Sequence, residues 1–286
     1  MVEYAIKTPS HHGTWQQFLE LWQTIDDCEV YSQAWNFDHF YAFGSDLYPV
    51  ADDQPGPCLE SWTMLAALAQ ATCRIRIGSM VNAMHHRHPA VTANMATTLD
   101  IISGGRLDLG LGAGWNVEES EAYGIDLGSV KQRLDRFEEG VEVIVRLLSQ
   151  HTTDFTGDYY RVTDAHCEPK AIQRPHPPLL IGGGGKTRTL PIVAKWAQKW
   201  DGGFRSVTEW QDTNEVLVEC CEEVGRDPLD IQRTIHLPWD PGVDLSMLAD
   251  RAAELAAAGI DQVIFNMQRT YAPADVEALG AVLAER

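Results

Sequence analysis

Short apolar segments alternate with amphipathic segments from one end of the chain to the other, and this alternation limits the possible folds more than any other feature. The first apolar segment, EYAIKT, has the residue types of a buried strand. The next segment repeats apolar residues at helical spacing, among them Phe18, Trp22 and Ile25. Thr14, just before it, is the expected N-cap. Seven further strand–helix pairs follow, which gives eight βα units in 286 residues.

Eight consecutive βα units predict a closed barrel. Parallel strands need crossover helices, and eight such units form a barrel of about 250 residues. We therefore expect one α/β domain, a (β/α)8 TIM barrel over residues 1–286, with an open doubly wound sheet as the competing architecture. The segment 151–176 breaks the alternation, because it is loop-like with β-prone pieces around Gly157. It predicts an insertion on the barrel rim, between the fourth helix and the fifth strand.

Charge and cysteine content exclude several classes of partner. The chain has 41 acidic and 22 basic side chains, a net charge of −19, which repels nucleic acid and anionic membranes. Its six cysteines form no C-x-x-C pair, and they are expected to be free thiols in a reducing compartment. The first residues do not resemble a signal peptide, and no run of 18 apolar residues occurs. These features predict a cytoplasmic protein without a membrane partner.

A barrel concentrates its function where the strands end, because active sites of this fold are built by the loops that follow the strands. Many of the polar and glycine-rich positions that suggest ligand chemistry fall at such ends. The expected strand ends are Thr8–His12, Asp38–Phe40, Gly78–Asn82, Gly112–Asn116, Gly182–Lys186, Gly202–Phe204, His236–Trp239 and Asn266–Gln268. One ligand site at this end of the barrel would explain that distribution.

The stretch RLDLGLGAGWN, residues 106–116, could be taken for a dinucleotide fingerprint. That fingerprint reads G-x-G-x-x-G and needs an acid about 20 residues further on. Gly110, Gly112 and Gly114 give G-x-G-x-G instead, and residues 130–134 are Val-Lys-Gln-Arg-Leu. The stretch also follows the fourth strand, whereas the fingerprint usually opens its fold. A nicotinamide-binding site is therefore disfavoured.

Two other motifs suggest ligand chemistry. In IGGGGKTR, four glycines allow close backbone approach, the following helix adds positive potential, and Lys186 and Arg188 add charge. This run is an expected phosphate site, with a plain flexible turn as the alternative. The segment HHRHP suggests a metal site, but adjacent His85 and His86 do not easily share one ion. A basic loop that receives an anionic cofactor tail, or a solvated loop, fits it better.

Several segments together resemble a known family, the bacterial-luciferase-like flavin and deazaflavin oxidoreductases, and the branch that uses coenzyme F420 in particular. The similarity covers most of residues 30–200, and the remaining C-terminal part supports it only through its βα rhythm. The segments are FDHF (37–40), LESWTMLAALAQATCRIRIGSMV (59–81), RHPAVTANMATTLDIISGGRLDLGLGAGWNVEESEAYGI (87–125), RFEEGVEVI (136–144), GDYY (157–160) and PHPPLLIGGGG (175–185).

The resemblance implies a reaction and a cofactor. It implies an enzyme that transfers a hydride between C5 of coenzyme F420 and a small organic substrate, with the cofactor lying across the strand ends. An FMN-dependent monooxygenase and a flavin-binding relative without catalytic activity stay as alternatives. The resemblance also implies a homodimer. Substrate identity is not readable from the sequence.

The resemblance also implies site residues. His39 is the expected catalytic residue, beside the reactive face of the deazaflavin, because histidine exchanges protons near neutral pH. A bulge with a cis peptide at Met80–Val81 is expected behind the cofactor ring. The implied cofactor-binding residues are Asp38, Ser79, Met80, Val81, Asn82, Gly112, Ala113, Gly114, Trp115, Asn116, Gly182, Gly183, Gly184, Gly185 and Lys186.

The sequence departs from the resemblance at two places. Several dehydrogenases of the family have an acid at the end of the first strand, where this chain has Thr8, Pro9, Ser10 and His11. A second acid follows their fourth strand, where this chain has Trp115. The acid that would protonate the deazaflavin is therefore missing. Either His39 acts alone or the reaction differs, and Trp115 and Asn116 are expected to form a wall and a hydrogen-bonding group.

Overall fold

Strands and helices alternate through the part of the chain that the structure, a computed structural model, describes: residues 2–42, 56–204, 206–240, 242–267 and 272–286. The strands are β1 Glu3–Lys7, β2 Tyr31–Asn36, β3 Arg76–Ser79, β4 Asn82–Ala83, β5 Leu107–Gly112, β6 Thr153–Thr156, β7 Arg161–Ala165, β8 Leu179–Gly182, β9 Lys199–Asp201, β10 Gln232–Trp239 and β11 Gln262–Met267. The helices are α1 Trp15–Asp27, α2 Ser61–Ala71, α3 Pro89–Ile102, α4 Val117–Tyr123, α5 Val130–Ser149, α6 Thr189–Trp196, α7 Val207–Glu223, α8 Leu245–Ala257 and α9 Pro273–Ala284.

The strand order is that of a barrel. Hydrogen bonds join the strands in the order β3-β2-β1-β11-β10-β9-β8-β5-β4, and β3 also pairs with β5. Because β3 and β4 are two parts of one strand, this order is a closed ring of eight strand positions. The fold is therefore a (β/α)8 barrel, and the predicted architecture is confirmed. The competing doubly wound sheet would have left two free edges.

Local sequence explains where several helices begin. The Thr14 hydroxyl accepts a hydrogen bond from the Gln17 amide, and the Gln17 side chain accepts from Thr14, a capping box at α1. Pro89 is the first residue of α3, where a missing amide proton costs nothing. Gly104 and Gly105 follow this helix with φ of 69° and 85°. The predicted N-cap at Thr14 is confirmed.

The described residues group into two units, of which the first holds residues 1–80, 201–212 and 232–286. In this unit the Trp22 indole, fully buried on α1, donates to the Thr8 hydroxyl at 2.8 Å. The Asp26 carboxylate accepts from the amides of Cys73, Arg74 and Ile75, at 2.7–2.8 Å. These bonds fix the start of β3 against α1. The single-domain organisation of the whole chain stays a prediction.

The second unit holds residues 81–200 and 213–231. The Lys199 ammonium and the Asp108 carboxylate form a buried ion pair at 2.6 Å, which joins β9 to β5. The insertion lies between α5 and β8, as predicted, and contains the antiparallel pair β6–β7. The carboxylate of Asp100 on α3 accepts from the amides of Ile172 and Gln173. The insertion is therefore held by hydrogen bonds to the barrel helices of its own unit.

The structure differs from the sequence-based expectations in local detail. The predicted third strand, RIRIGSMVN, is interrupted at residues 80–81, which separate β3 from β4. The short helix α4 follows β5 directly and was not expected from the pattern.

All six cysteines are free thiols. In the described residues, no helix is both long and apolar enough to cross a bilayer.

Candidate active site

His39 lies just beyond the C-terminal end of β2, in the first unit. Active sites of this fold are built at that end of the strands. The side chain of His39 is partly buried, and its ring centroid lies 4.9 Å from that of Phe37. Asp38, the neighbouring residue, is 1% exposed. The Cys58 thiol donates to the backbone oxygen of His39 at 3.4 Å. His39 is therefore held at the strand end by packing and by a backbone contact, and it is only partly buried.

His11 and His12 follow the end of β1 in the same unit. The His11 ring meets the His12 and Phe37 rings edge to face, with centroids 4.7 Å and 5.3 Å away. Burial, and then the positive potential of His12, His39 and Lys7, lowers the pKa of His11 to about 3. His11 is therefore uncharged at neutral pH.

Ser79 and Met80 end the first-unit part of the third barrel strand. Ser61, the first residue of α2, donates to the Ser79 hydroxyl at 3.1 Å and lies 3.2 Å from the Asn36 side-chain oxygen. The Met80 amide donates to the Asn36 backbone oxygen at 2.9 Å. These bonds keep the chain aligned with β2 up to Met80. The strand is interrupted after this point by a turn at residues 80–81, and the expected bulge behind a cofactor ring stays a prediction.

The expectation of a cis peptide at Met80–Val81 is wrong. The cis bonds of the described residues precede Pro169 and Pro175, and the Met80–Val81 peptide is trans. A cis bond outside proline costs about 3 kcal/mol, so it needs surroundings that enforce it. A two-residue turn at 80–81, built with a trans peptide, interrupts the strand instead.

Val81 and Asn82 begin the second-unit part of that strand. A Cβ atom on Gly112 would lie 2.6 Å from the Val81 Cγ2, and one on Gly182 would lie 3.1 Å from its Cγ1. Val81 therefore packs on bare backbone at the ends of β5 and β8, a position that only glycine permits. Asn82 is 4% exposed and donates to the Gly110 backbone oxygen at 2.7 Å.

The residues after β5 have separate roles. Gly114 has a φ of 88°, a conformation that favours glycine, and Ala113 before it is partly buried. Trp115 is 54% exposed. The side-chain oxygen of Asn116 accepts from the Glu119 amide at 3.0 Å and caps α4. The hydrogen-bonding capacity predicted for Asn116 is thus used at least in part by its own helix.

The second glycine run, after β8, is more open. Gly182, Gly183 and Gly184 are partly buried, and Gly185 and Lys186 are exposed. Gly183 has a φ of 118°, and its backbone oxygen accepts from the Trp200 indole at 2.9 Å. A Cβ atom at Gly183 would approach only the Thr189 side chain within 4 Å, at 3.5 Å and beyond. This backbone can be approached closely by a ligand.

Arg188 does not supply free positive charge to this run. Its guanidinium bonds to the Asp135 carboxylate at 2.7 Å and lies 3.3 Å from that of Glu138, both on α5. These carboxylates, Asp135 first, raise the pKa of Arg188. Of the two cations expected at the phosphate site, one is therefore neutralised by acidic neighbours.

The histidines of HHRHP lie against helices. A His85 ring nitrogen lies 3.0 Å from the Ser120 hydroxyl of α4, and His86 lies 3.9 Å from the Glu119 carboxylate. His88 accepts from the Ala90 amide at the start of α3. Within the residues that the structure describes, no group of three His, Cys, Asp or Glu side chains is arranged to hold a metal ion.

A carboxylate–histidine pair that the sequence did not reveal lies in the first unit. Asp201, the last residue of β9, is 3.0 Å from Nδ1 of His236 on β10. The other carboxylate oxygen accepts from the Thr234 hydroxyl at 3.2 Å. His236 was among the expected strand ends, but Asp201 was not singled out. One sequence signal could have identified this pair: an acid at the end of one predicted barrel strand and a histidine on the next strand.

The strand-end residues fit a ring-bearing cofactor. Within the described residues, the buried polar atoms without a hydrogen-bond partner include Ser10 Oγ in the first unit and Asn82 Oδ1 in the second. Buried polar atoms usually have a partner, so each of these is a candidate contact for a bound molecule. A flavin or deazaflavin ring offers both donors and acceptors at its edge. The open backbone at Gly183 adds a place for close approach. The predicted end of the last strand, at Gln268, lies outside the described residues.

Comparison with known proteins gives a consistent result. The model of the luciferase-like monooxygenase family matches residues 3–273. A chain of unassigned activity from Mycobacterium tuberculosis is 29% identical over 236 residues, 82% of this chain and 79% of its own. A pyrimidine monooxygenase of Bradyrhizobium is 32% identical over 174 residues, 59% and 47% of the two chains. An F420-dependent glucose-6-phosphate dehydrogenase of Amycolatopsis mediterranei is 32% identical over 174 residues, 60% and 47%.

The fold has close structural counterparts. An F420-dependent secondary alcohol dehydrogenase, solved with an F420–acetone adduct, superimposes with a TM-score of 0.84. The alignment covers 99% of this chain and 97% of the other, at 18% identity. At that identity the likeness supports the barrel fold alone.

Proposed function

Because this chain belongs to the luciferase-like monooxygenase family, we propose that it is an F420-dependent oxidoreductase that acts on a small organic substrate. The observation that carries the proposal is His39, which follows β2 where the resemblance to the F420 branch requires a histidine. The relative from Amycolatopsis mediterranei, named as F420-dependent, supports the same choice. The proposal concerns the cofactor and the class of reaction, and it leaves the substrate open.

Each unit holds candidate cofactor-binding residues. In the first unit, Asp38 and His39 follow β2, Ser79 ends β3 and Met80 follows it. In the second unit, Val81 precedes β4 and Asn82 begins it, and the other candidates lie at the ends of β5 and β8: Gly112–Asn116 and Gly182–Lys186. When bound, the deazaflavin accepts or donates a hydride at C5. The chain would position the cofactor and the substrate, exclude water from the reacting atoms and transfer protons.

The chain's own contribution to chemistry begins with His39. Its imidazole can hold or release a proton beside the reacting atoms near neutral pH. Trp115 stands where family members keep an acid. An indole N–H donates hydrogen bonds but does not ionise at neutral pH, so it cannot act as a general acid. We therefore assign proton transfer to histidine and a wall of the pocket to Trp115.

A second candidate is an FMN-dependent monooxygenase that activates oxygen. The match to a pyrimidine monooxygenase, at the same identity and over the same length as the F420-dependent relative, favours it. A third is a flavin-binding relative without catalytic activity, against which the accessible His39 argues. We also propose a cytoplasmic homodimer, on the resemblance and the free thiols.

Titration with each cofactor tests the proposal. The purified protein is titrated separately with F420 and with FMN, and ligand fluorescence is followed. We expect saturable F420 binding, and F420-dependent turnover that falls about 100-fold or more in His39→Ala. His166→Ala, at an exposed histidine of the insertion, is the control and should keep wild-type turnover. Tight FMN binding without F420 binding would overturn the cofactor choice, and full activity of His39→Ala would remove its catalytic role.

A further inference from the structure

The pair of Asp201 and His236 has the arrangement of a proton-transfer group. We propose that His236 is a second catalytic residue, which exchanges a proton with a substrate oxygen, and that Asp201 is its positioning residue. The inference rests on the proposed function, since it adds an acid–base group to that reaction. It also narrows the substrate class to compounds with a hydroxyl or carbonyl group at the reacting carbon.

Asp201 is held from several sides. Its Oδ1 accepts from His236 Nδ1 at 3.0 Å and from the Gly203 amide at 3.1 Å, while its Oδ2 accepts from the Thr234 hydroxyl at 3.2 Å. The residue is 5% exposed. A buried carboxylate with these donors cannot rotate without losing hydrogen bonds, so its orientation is fixed. The His236 ring that it contacts is fixed with it.

The charge of Asp201 decides which nitrogen of His236 carries the proton. Burial alone would raise the pKa of Asp201, but His236, Lys7 and the Thr234 hydroxyl hold it below its ordinary value. Asp201 is therefore ionised and can only accept hydrogen bonds. Nδ1 of His236 must then be the donor, which leaves Nε2 as the nitrogen that can face a substrate. The same logic orients histidine in catalytic triads.

His236 is also placed where a substrate could reach it. Asp201 is the last residue of β9, and Thr234 and His236 lie on one face of β10, since both bond to that carboxylate. The side chain of His236 is 17% exposed. Gly203, with φ of 67°, lies beside the ring, since a Cβ there would be 3.7 Å from Cε1, an ordinary contact distance.

Another histidine–carboxylate pair shows the contrast. His86 and Glu119 are 3.9 Å apart, and both side chains are 1% exposed. Such a pair is sealed from substrate and lies beyond hydrogen-bonding distance, so it serves packing. His236 combines a true hydrogen bond with access to solvent, which is the combination that proton transfer requires.

The proposed step balances as an alcohol–carbonyl conversion. The O–H bond of the alcohol breaks, its proton goes to Nε2 of His236, and its electron pair forms the C=O bond. The C–H bond breaks at the same carbon, and the hydride passes to the oxidised deazaflavin, which is the oxidant. In the reverse direction the protonated ring returns its proton to the carbonyl oxygen.

Two variants separate the roles of the pair. His236→Asn keeps a donor near the position of Nδ1 but has no Nε2, and Asp201→Asn keeps the ring but removes the charge. With F420 and a panel of small primary and secondary alcohols, we expect kcat to fall about 100-fold or more in each. The Kd for F420 should stay within about twofold of wild type. Asp26→Asn, a buried carboxylate on α1, is the matched control: it should lose stability but keep its kcat.

A spectroscopic measurement tests the geometry without turnover. Long-range ¹H–¹⁵N correlation spectra of the cofactor-free protein should show neutral His236 protonated at Nδ1, and Asp201→Asn should lose that signature. A wild-type ring protonated at Nε2, or His236→Asn with wild-type kcat, would overturn the inference. If the wild type binds no F420 and oxidises none of the alcohols, the proposed function fails, while the spectra still confirm or reject the oriented pair.

Discussion

His11 shows how one buried side chain can set the response of this protein to acid. It is 2% exposed, lies edge-on to Phe37, and has its pKa lowered to about 3 by burial and by His12, His39 and Lys7. In an unfolded chain a histidine has a pKa near 6.5. Between these two pKa values, His11 is protonated in the unfolded state but not in the folded state. His11 therefore makes folding less favourable as the pH falls from about 6.5 towards 3.

Replacing His11 with phenylalanine should reduce this sensitivity. His11→Phe keeps an aromatic ring beside Phe37 and removes the titrating nitrogen atoms. We expect its free energy of unfolding to fall less than that of wild type between about pH 6.5 and pH 4, by up to a few kcal/mol. Denaturant unfolding at a series of pH values measures the difference. Values at pH 8, where the ring is neutral in both states, isolate the packing effect, and parallel curves for the two proteins would contradict the assignment.

His39 and His236 differ in how far sequence alone could reveal them. His39 stands in FDHF, and both its strand end and the resemblance pointed to it. His236 was recognised only as one of the residues at an expected strand end. Its role depends on Asp201, 35 residues away in the chain and on the neighbouring strand. Single-residue patterns cannot identify such a partner, because the pairing is created by the sheet.

At the level of elements, the interruption between β3 and β4 is tied to two glycines on other strands. Val81 occupies space that side chains on Gly112 and Gly182 would need. Gly112 has no positive φ that would require glycine, so the requirement there is steric. The glycines of RLDLGLGAGWN thus serve two purposes: Gly112 admits Val81, and Gly114 adopts a left-handed conformation.

Gly112→Ala should therefore be destabilising in a way that Val81→Ala relieves. The added Cβ would meet Val81 Cγ2 at 2.6 Å, and overpacking of this kind costs about 1–3 kcal/mol. In a double-mutant cycle we expect a coupling of about 1 kcal/mol or more between the two substitutions. Gly225→Ala is the control for the coupling: its φ of 70° makes alanine strained, but no atom lies within 4 Å of its Cβ position, so it should show no coupling to Val81→Ala. Additive effects of Gly112→Ala and Val81→Ala would contradict a steric conflict between a Cβ at residue 112 and Val81.

Helix boundaries followed the sequence where a cap or a proline marks them, as at Thr14 and Pro89. The short helix α4 was missed because seven residues give too little periodicity to recognise. Asn116 caps it and Gly124 ends it with a φ of 66°, so local signals were present but lay inside what resembled a loop. The insertion likewise contained a strand pair where only β-prone pieces were visible.

For the molecule as a whole, the net charge of −19 affects any anionic ligand. A phosphate-bearing cofactor approaches a surface that repels it at long range. Arg188, one of the cations expected to offset this field, is already bound to Asp135 and lies close to Glu138. Short-range contacts with backbone amides and Lys186 would therefore have to act against the field of the rest of the chain.

Salt should therefore accelerate cofactor association. We expect the association rate constant for F420 to rise several-fold when ionic strength increases from about 0.01 M to about 0.15 M, because the Debye length shrinks from about 30 Å to about 8 Å. Stopped-flow fluorescence measures this rate. A deazaflavin that lacks the charged tail is the control and should show little salt dependence. A rate that falls with salt would mean that a local positive field at the site outweighs the net charge.

The sequence by itself determined the eight βα units, the insertion before the fifth barrel strand, the main helix starts and the two glycine runs. These features follow from period, capping and turn chemistry, which act between residues close together in the chain. Only the tertiary structure decided the trans peptide at Met80–Val81, the contact of that valine with Gly112 and Gly182, the neutralisation of Arg188, and the pairing of Asp201 with His236. Each of these depends on which side chains the strands and helices bring within a few ångströms, and no local pattern encodes such distances.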